Sequence, residues 1–190
     1  VRVVSADGAA WGTRETGTMV YGVNFAEGGV PQIVGLDAVS GETDHVVDMP
    51  LDAAEEATFG ISAFDPTTQT YYTVVQVESG LPPPAAEEES VLVVTRLRTQ
   101  ERRTVHLGQD QILSMHFDAL HNRLLAVVYR FPTRPTHPPA GAWFATLDPD
   151  TGMVFPFVPM RAAAEGAAAV PVPGLSAFDK SSQTYFALGV

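Results

Sequence analysis

Apolar residues along this chain come in short runs, rich in Val, Ile, Leu, Tyr and Phe, and each run is cut off by a polar turn. Residues 33–49 read "IVGLDAVSGETDHVVDM" and residues 143–160 read "WFATLDPDTGMVFPFVPM". In both, a β-branched and aromatic run meets an Asp, then a polar stretch containing Gly, then a second run. That is a β-hairpin pattern: Asp suits the start of a type I turn, and Gly suits a closing residue at positive φ. Between them, "VLVVTRLRTQERRTVHL" at 91–107 takes the same place with its turn chemistry changed. No helical period of useful length appears, and the Ala-rich stretch "RAAAEGAAAVPVPG" is broken by Gly and Pro.

A second phrase interleaves with the first. Residues 60–75 read "GISAFDPTTQTYYTVV" and residues 174–190 read "GLSAFDKSSQTYFALGV", an offset of 114. A weaker copy, "LSMHFDALHNRLLAVVY" at 113–129, puts Phe117-Asp118 in the place of Phe64-Asp65. The Phe-Asp pairs are spaced 53 and 61 residues apart, so the unit is about 57 residues long. One unit is two hairpins, with strands in the second unit expected at 61–64, 70–77, 91–98 and 103–107. Four-stranded antiparallel units that cannot bury both faces alone, repeated radially, are the sequence mark of a β-propeller.

The phrases "SAFDPTTQTYY" and "LDPDTG" look like the blade repeats of the quinoprotein-like and lactonase-like β-propellers, over most of the chain from about residue 17 onward. The resemblance implies an all-β fold and a single propeller segment over 1–190. Its blades fall at about 1–50, 59–108 and 112–160, with a half blade at 174–190, which makes three and a half. Propellers close with four to eight blades, so the expectation is a partial or oligomer-completed ring. The partner expected is another protein chain, or the remaining blades, pairing with a bare sheet edge. No active-site motif of a propeller enzyme matches, and no catalytic residue is carried over.

Composition narrows the function classes. The chain has no Cys, which removes disulfides and thiolate metal sites. Its net charge of −11 is uneven: residues 1–95 hold fifteen acidic residues against Arg2 and Arg14, whereas 96–190 hold seven against nine basic ones. An acidic half argues against nucleic-acid binding, which needs a basic face. No apolar run is long enough to span a bilayer as a helix, so membrane insertion is not expected. The start, "VRVVSADG", carries neither Met nor a leader and reads as a processed product or a piece of something larger, with a lean toward a secreted location.

Candidate chemistry is sparse. Asp37, Asp65, Asp118, Asp148 and Asp179 recur at the turns, where the expected role is to accept hydrogen bonds from turn amides and not to form a carboxylate ring. "DPDTG" begins like a calcium loop but lacks its later acidic ligand. The five histidines, His45, His106, His116, His121 and His137, show no metal-ligand spacing, and neither a metal nor a cofactor is expected. His116 stands in the place of Ala63 and Ala177 on the expected innermost strand. Ser62 and Ser176 share an equivalent position, with no recognisable base for either. Arg96, Arg98, Arg102 and Arg103 form the one basic cluster, and strand alternation would put Arg96 and Arg98 on one side. The long irregular connections at 78–90, 130–142 and 160–174 are where a rigid scaffold would display function. The candidate ligand-binding residues are therefore His116, Arg96, Arg98, Arg134 and His137.

Three readings follow. The first is a non-enzymatic module for structural assembly or protein–protein interaction. The second is a lectin-like propeller that binds glycans or small ligands. The third is a lactonase- or hydrolase-type enzyme whose site is completed by further blades, with His116 its one candidate here.

Overall fold

The computed structural model describes residues 2–3, 19–24, 30–49, 55–78, 88–108, 110–130, 141–160, 171–179 and 181–189. Every regular element within them is a β-strand, and the strands pair antiparallel in four sheets. The first sheet holds β1 (Arg2–Val3), β2 (Met19–Asn24), β3 (Gln32–Asp37) and β4 (Thr43–Asp48). The second holds β5 (Glu55–Asp65), β6 (Thr70–Glu78), β7 (Glu88–Arg96) and β8 (Glu101–His106). The third holds β9 (Gln111–Asp118), β10 (Arg123–Arg130), β11 (Gly141–Leu147) and β12 (Val154–Pro159). The fourth has two strands, β13 (Pro171–Asp179) and β14 (Thr184–Gly189). Strands adjacent in sequence are adjacent in each sheet.

Six tight turns set the registers, and they share one geometry. Gly41, Gln69, Gln100, Asn122, Gly152 and Gln183 each adopt positive φ, between 50° and 73°. Counting back four residues from each reaches Asp37, Asp65, Arg96, Asp118, Asp148 and Asp179. The five aspartates hold their own turns. Asp37 Oδ1 accepts the Val39 and Ser40 amides at 2.8 Å, and Asp65 Oδ1 accepts the Thr67 amide at 2.8 Å. Asp118 Oδ1 accepts from Leu120, Asp148 Oδ1 from Asp150 and Thr151, and Asp179 Oδ1 from Ser181. A short carboxylate reaches its own backbone two residues on, which fixes the first half of the turn; the positive-φ residue completes it. The sixth turn has Arg96 where the others have Asp. Gln carries a Cβ that positive φ crowds, at a cost of about 1 kcal/mol or more. Gln100→Gly is therefore expected to stabilise the fold by about 0.5–1 kcal/mol, after allowance for glycine's freedom in the unfolded chain. A shifted urea midpoint with unchanged slope is the measurement.

Successive sheets share cores. On β5 and β6, Phe64 and Tyr71 join Tyr21, Ile33, Val47 and Met49 of the first sheet, whereas the adjacent Ala63 and Tyr72 join Met115, Phe117 and Leu124 of the third. Side chains alternate faces along a strand, so a sheet covered on both sides needs apolar residues at consecutive positions. Residues 91–95 and 112–118 are buried throughout, as this requires. Leu113, Val127 and Ala142 of the third sheet form the next core with Tyr185 of the fourth. The first strands of three sheets meet: β9 runs against both β5 and β13, and β13 also approaches β5.

Strand limits differ from the pattern-based expectation, most of all at the start of β5 and at both ends of β7, while β8 runs 101–106 and not 103–107. β5 begins at Glu55, not near 61, because pairing with β6 resumes upstream of a register shift between Ala57 and Ser62. β13 shifts register in the same way between Pro171 and Ser176. β7 runs Glu88–Arg96 and stops short of 98, because the tight turn into β8 begins at Leu97 and Arg96 pairs across it with Glu101. Arg98 consequently sits in the turn, and strand alternation does not set it beside Arg96.

Candidate functional site

Of the five sequence-derived ligand residues, His116, Arg96 and Arg98 fall within the described residues, on separate elements. His116 is on β9, only 5% exposed. Arg96 ends β7 and Arg98 is exposed on the following turn. Arg134 and His137 lie outside the described residues, as do 79–87, 131–140 and 161–170, which make up most of the three long connections.

His116 belongs to a polar cluster that ties the third sheet to the fourth. Its Nε2 lies 2.9 Å from Ser176 Oγ on β13, and the Tyr185 hydroxyl donates to the same Ser176 Oγ at 3.2 Å. Ser114 Oγ on β9 is 2.5 Å from the Tyr185 hydroxyl, and the Tyr185 ring stands edge-on to the imidazole at 5.1 Å. Burial pushes the imidazole down to about 4, against the opposing effect of its bond to Ser176, so His116 is neutral at neutral pH. In the second sheet the matching pair recurs: the Tyr71 hydroxyl donates to Ser62 Oγ at 2.9 Å, and burial raises the Tyr71 phenol to about 12. A neutral buried imidazole against a serine hydroxyl is the start of a nucleophile–base pair, but among the described residues no carboxylate orients it. Among the described residues, no group of three or more His, Asp or Glu could hold a metal ion.

A different set of residues forms a cleft of about 230 Å³ where four turns of the second and third sheets converge. Arg96, Arg103 and Arg123 reach it with Asp65, Asp150 and Asn122. Its floor is apolar, led by Tyr72 and Phe117, one from each sheet, whose rings are 14° from parallel with centroids 6.3 Å apart. Each guanidinium has a carboxylate partner. Arg96 pairs with Glu101 at 3.0 Å, Arg103 with Asp150 across the sheet boundary, and Arg123 Nε with Asp118 at 3.1 Å. Asp118 is fully buried. Burial works against its charge, but the bonds from His121 and Arg123 outweigh that and hold its carboxyl below the usual range. Of these residues the sequence pattern singled out Arg96, Arg103 and the turn aspartates. It missed Arg123 and Asp150 as neighbours of Arg96, because they come from the next sheet. The one available signal was Arg96 itself, standing in the Asp position of its turn.

The third feature is an open edge. β14 pairs with β13 on one side, and among the described residues no strand pairs with its other side. Phe186 on this strand is 57% exposed. Among the described residues no helix is long and apolar enough to cross a membrane. A scan against protein-family models and a search of curated proteins find no match to this chain.

Proposed function

We propose that this chain is a β-propeller segment of the quinoprotein-like or lactonase-like type, and that it serves non-enzymatically as an assembly module. The observation that carries this reading is the run of three four-stranded antiparallel sheets that share cores in succession. The first strands of the last two meet β13, and among the described residues β14 has one unpaired side. An unpaired edge offers a row of N–H and C=O groups to another polypeptide. Further blades, or another protein chain such as a second copy adding its own β14 antiparallel about a two-fold axis, would bring that sheet to the width of the other three.

Light scattering on the purified chain tests this. A particle of twice the 20.3 kDa chain mass is expected. Phe186→Lys sets a charge on the open edge and is expected to return the particle to a single chain with its fold intact. A wild-type monomer at every concentration would overturn the assembly reading.

A further inference from the structure

We infer that the outer half of the third sheet, on the face turned toward the fourth, is a docking surface for a β-hairpin of another polypeptide. This rests on the open edge of β14 described above and names what that edge receives. Three sets of equivalent positions mark the surface. Four residues before Asp37, Arg96 and Asp148, which open the last turn of each four-stranded sheet, stand Ile33, Leu92 and Phe144. Their partners on the outer strand are Val47, Val105 and Val158. Two residues on come Met49, Leu107 and Met160, whose amides donate to the Pro31, Ser90 and Ala142 carbonyls. Each set lies on the face turned to the following sheet. In the first two sheets all six residues are buried, with Val47 and Val105 each 8% exposed. In the third, Phe144 and Met160 are half-buried and Val158 is 51% exposed.

The difference follows from what lies on top. Over the first sheet, Leu97 of the second closes on Val47 and Met49 in one core. Over the second sheet, Leu147 and Val154 of the third join Val105 and Leu107. Both covers come from the hairpin of the third and fourth strands, β7–β8 in one case and β11–β12 in the other. Among the described residues the fourth sheet has only β13 and β14. Its Tyr185 reaches Phe144, with ring centroids 5.0 Å apart, and beyond that contact Val158 and Phe155 of the same face are exposed. Since β14 lies over β11, a strand paired to the open side of β14 comes to lie over β12. One occupant therefore satisfies both the unpaired backbone and the bare side chains: a strand antiparallel to β14 with its return strand, apolar at alternate positions. This is the form of β7–β8, where Val91, Val93 and Leu97 are buried along one face. Main-chain bonds to β14 would supply pairing, and the apolar face of Phe144, Val158 and Met160 would select which hairpin fits.

The probe is a synthetic peptide of residues 88–107, the β7–β8 hairpin, carrying a fluorophore and titrated with the whole chain while anisotropy is read. Saturable binding with a micromolar Kd is expected. Val158→Lys alters an exposed position, so the fold is expected to be retained. It should weaken the peptide about tenfold or more, because docking would bury the ammonium against apolar side chains. A second peptide with Val93→Asp and Leu97→Asp keeps the backbone groups but loses the apolar face, and is expected not to bind. No saturable binding up to about 200 μM, far above a micromolar Kd, would overturn the inference. Equal binding by the wild type and Val158→Lys, or equal affinity for the two peptides, would overturn it too. In those cases β14 accepts any strand, so the assembly reading stands while the face selects nothing. A two-chain particle that Val158→Lys dissociates, with no peptide binding, would make the occupant a second copy and overturn the hairpin alone. A chain that stays single at every concentration yet binds the peptide as expected upholds the docking surface without self-assembly.

Discussion

Acidifying from neutral pH to about pH 4 is expected to remove about 3 kcal/mol of stability through His116 alone. Burial lowers the folded-state pKa of this imidazole from 6.5 to about 4. Above pH 6.5 neither the folded nor the unfolded chain holds the extra proton, and the contribution is complete. Between 6.5 and 4 the unfolded chain takes up a proton that the folded chain refuses, so stability falls. Below 4 both forms are protonated and the loss stops growing. At 1.36 kcal/mol per unit, the gap amounts to about 3 kcal/mol. Among the described residues the polar partners of the ring, Ser176 directly and Tyr185 and Ser114 beyond it, are hydroxyls, which offer no negative charge to offset imidazolium. Urea unfolding at a series of pH values should show wild-type stability dropping through this window. His116→Gln, which cannot titrate, should follow a much flatter profile over the same range. Parallel profiles would show that His116 is not the group responsible. Asp179 acts lower on the scale: hydrogen bonds from Ser182 and Ser181 hold it down to about 2.

The second large effect belongs to a position with no side chain. A Cβ on Gly152 would overlap the His106 carbonyl oxygen, and would lie 3.0 Å from the His106 carbonyl carbon and 3.1 Å from Val105 Cγ1. Gly152 closes a turn of the third sheet, and Val105 and His106 end the outer strand of the second, so the added methyl would wedge two sheets apart. Gly41 supplies the control. It has the same φ of 73°, with nothing within 4 Å of an added Cβ. Gly41→Ala should therefore lose only the conformational cost, about 1 kcal/mol. Gly152→Ala should lose that plus the cost of overpacking against backbone that cannot rotate away, in all about 3 kcal/mol. Denaturant midpoints of the two variants measure the difference. Equal losses would mean that the two sheets are not in contact there.

The same contrast marks the limit of what could be read from the sequence. All-β character and antiparallel hairpins were legible, because five of the six turns advertise themselves within five residues: an Asp at one end, as in Asp37 or Asp148, and a Gly, Gln or Asn at the other. The stop of β7 at Arg96 was not legible, because the turn that ends it has Arg96 where the other five have Asp. Nor was the cleft. Arg103 and Asp150 are 47 residues apart and meet only once two sheets are laid together. His116 was legible as an exception at a repeated position, and Ser176, 60 residues on, as the repeat of Ser62. No local pattern could announce that the two face each other, since that contact depends on how sheets dock and not on how any one of them forms.

The six self-closing turns also bear on how the chain finds its fold. Each hairpin's register is fixed by atoms no more than a few residues apart, so hairpins can form in microseconds without waiting for any distant contact. A slip of one residue would turn every core side chain outward, and the turn penalises that error before sheets meet. The slow and hazardous step is therefore moved to docking, where several sheets of similar shape compete for the same neighbour. Features that differ from sheet to sheet then carry the burden of correct order. The His116–Ser176 bond joins only the third sheet to the fourth, and the notch at Gly152 accepts only the end of β8. They act as keys to sequence of assembly as much as sources of stability.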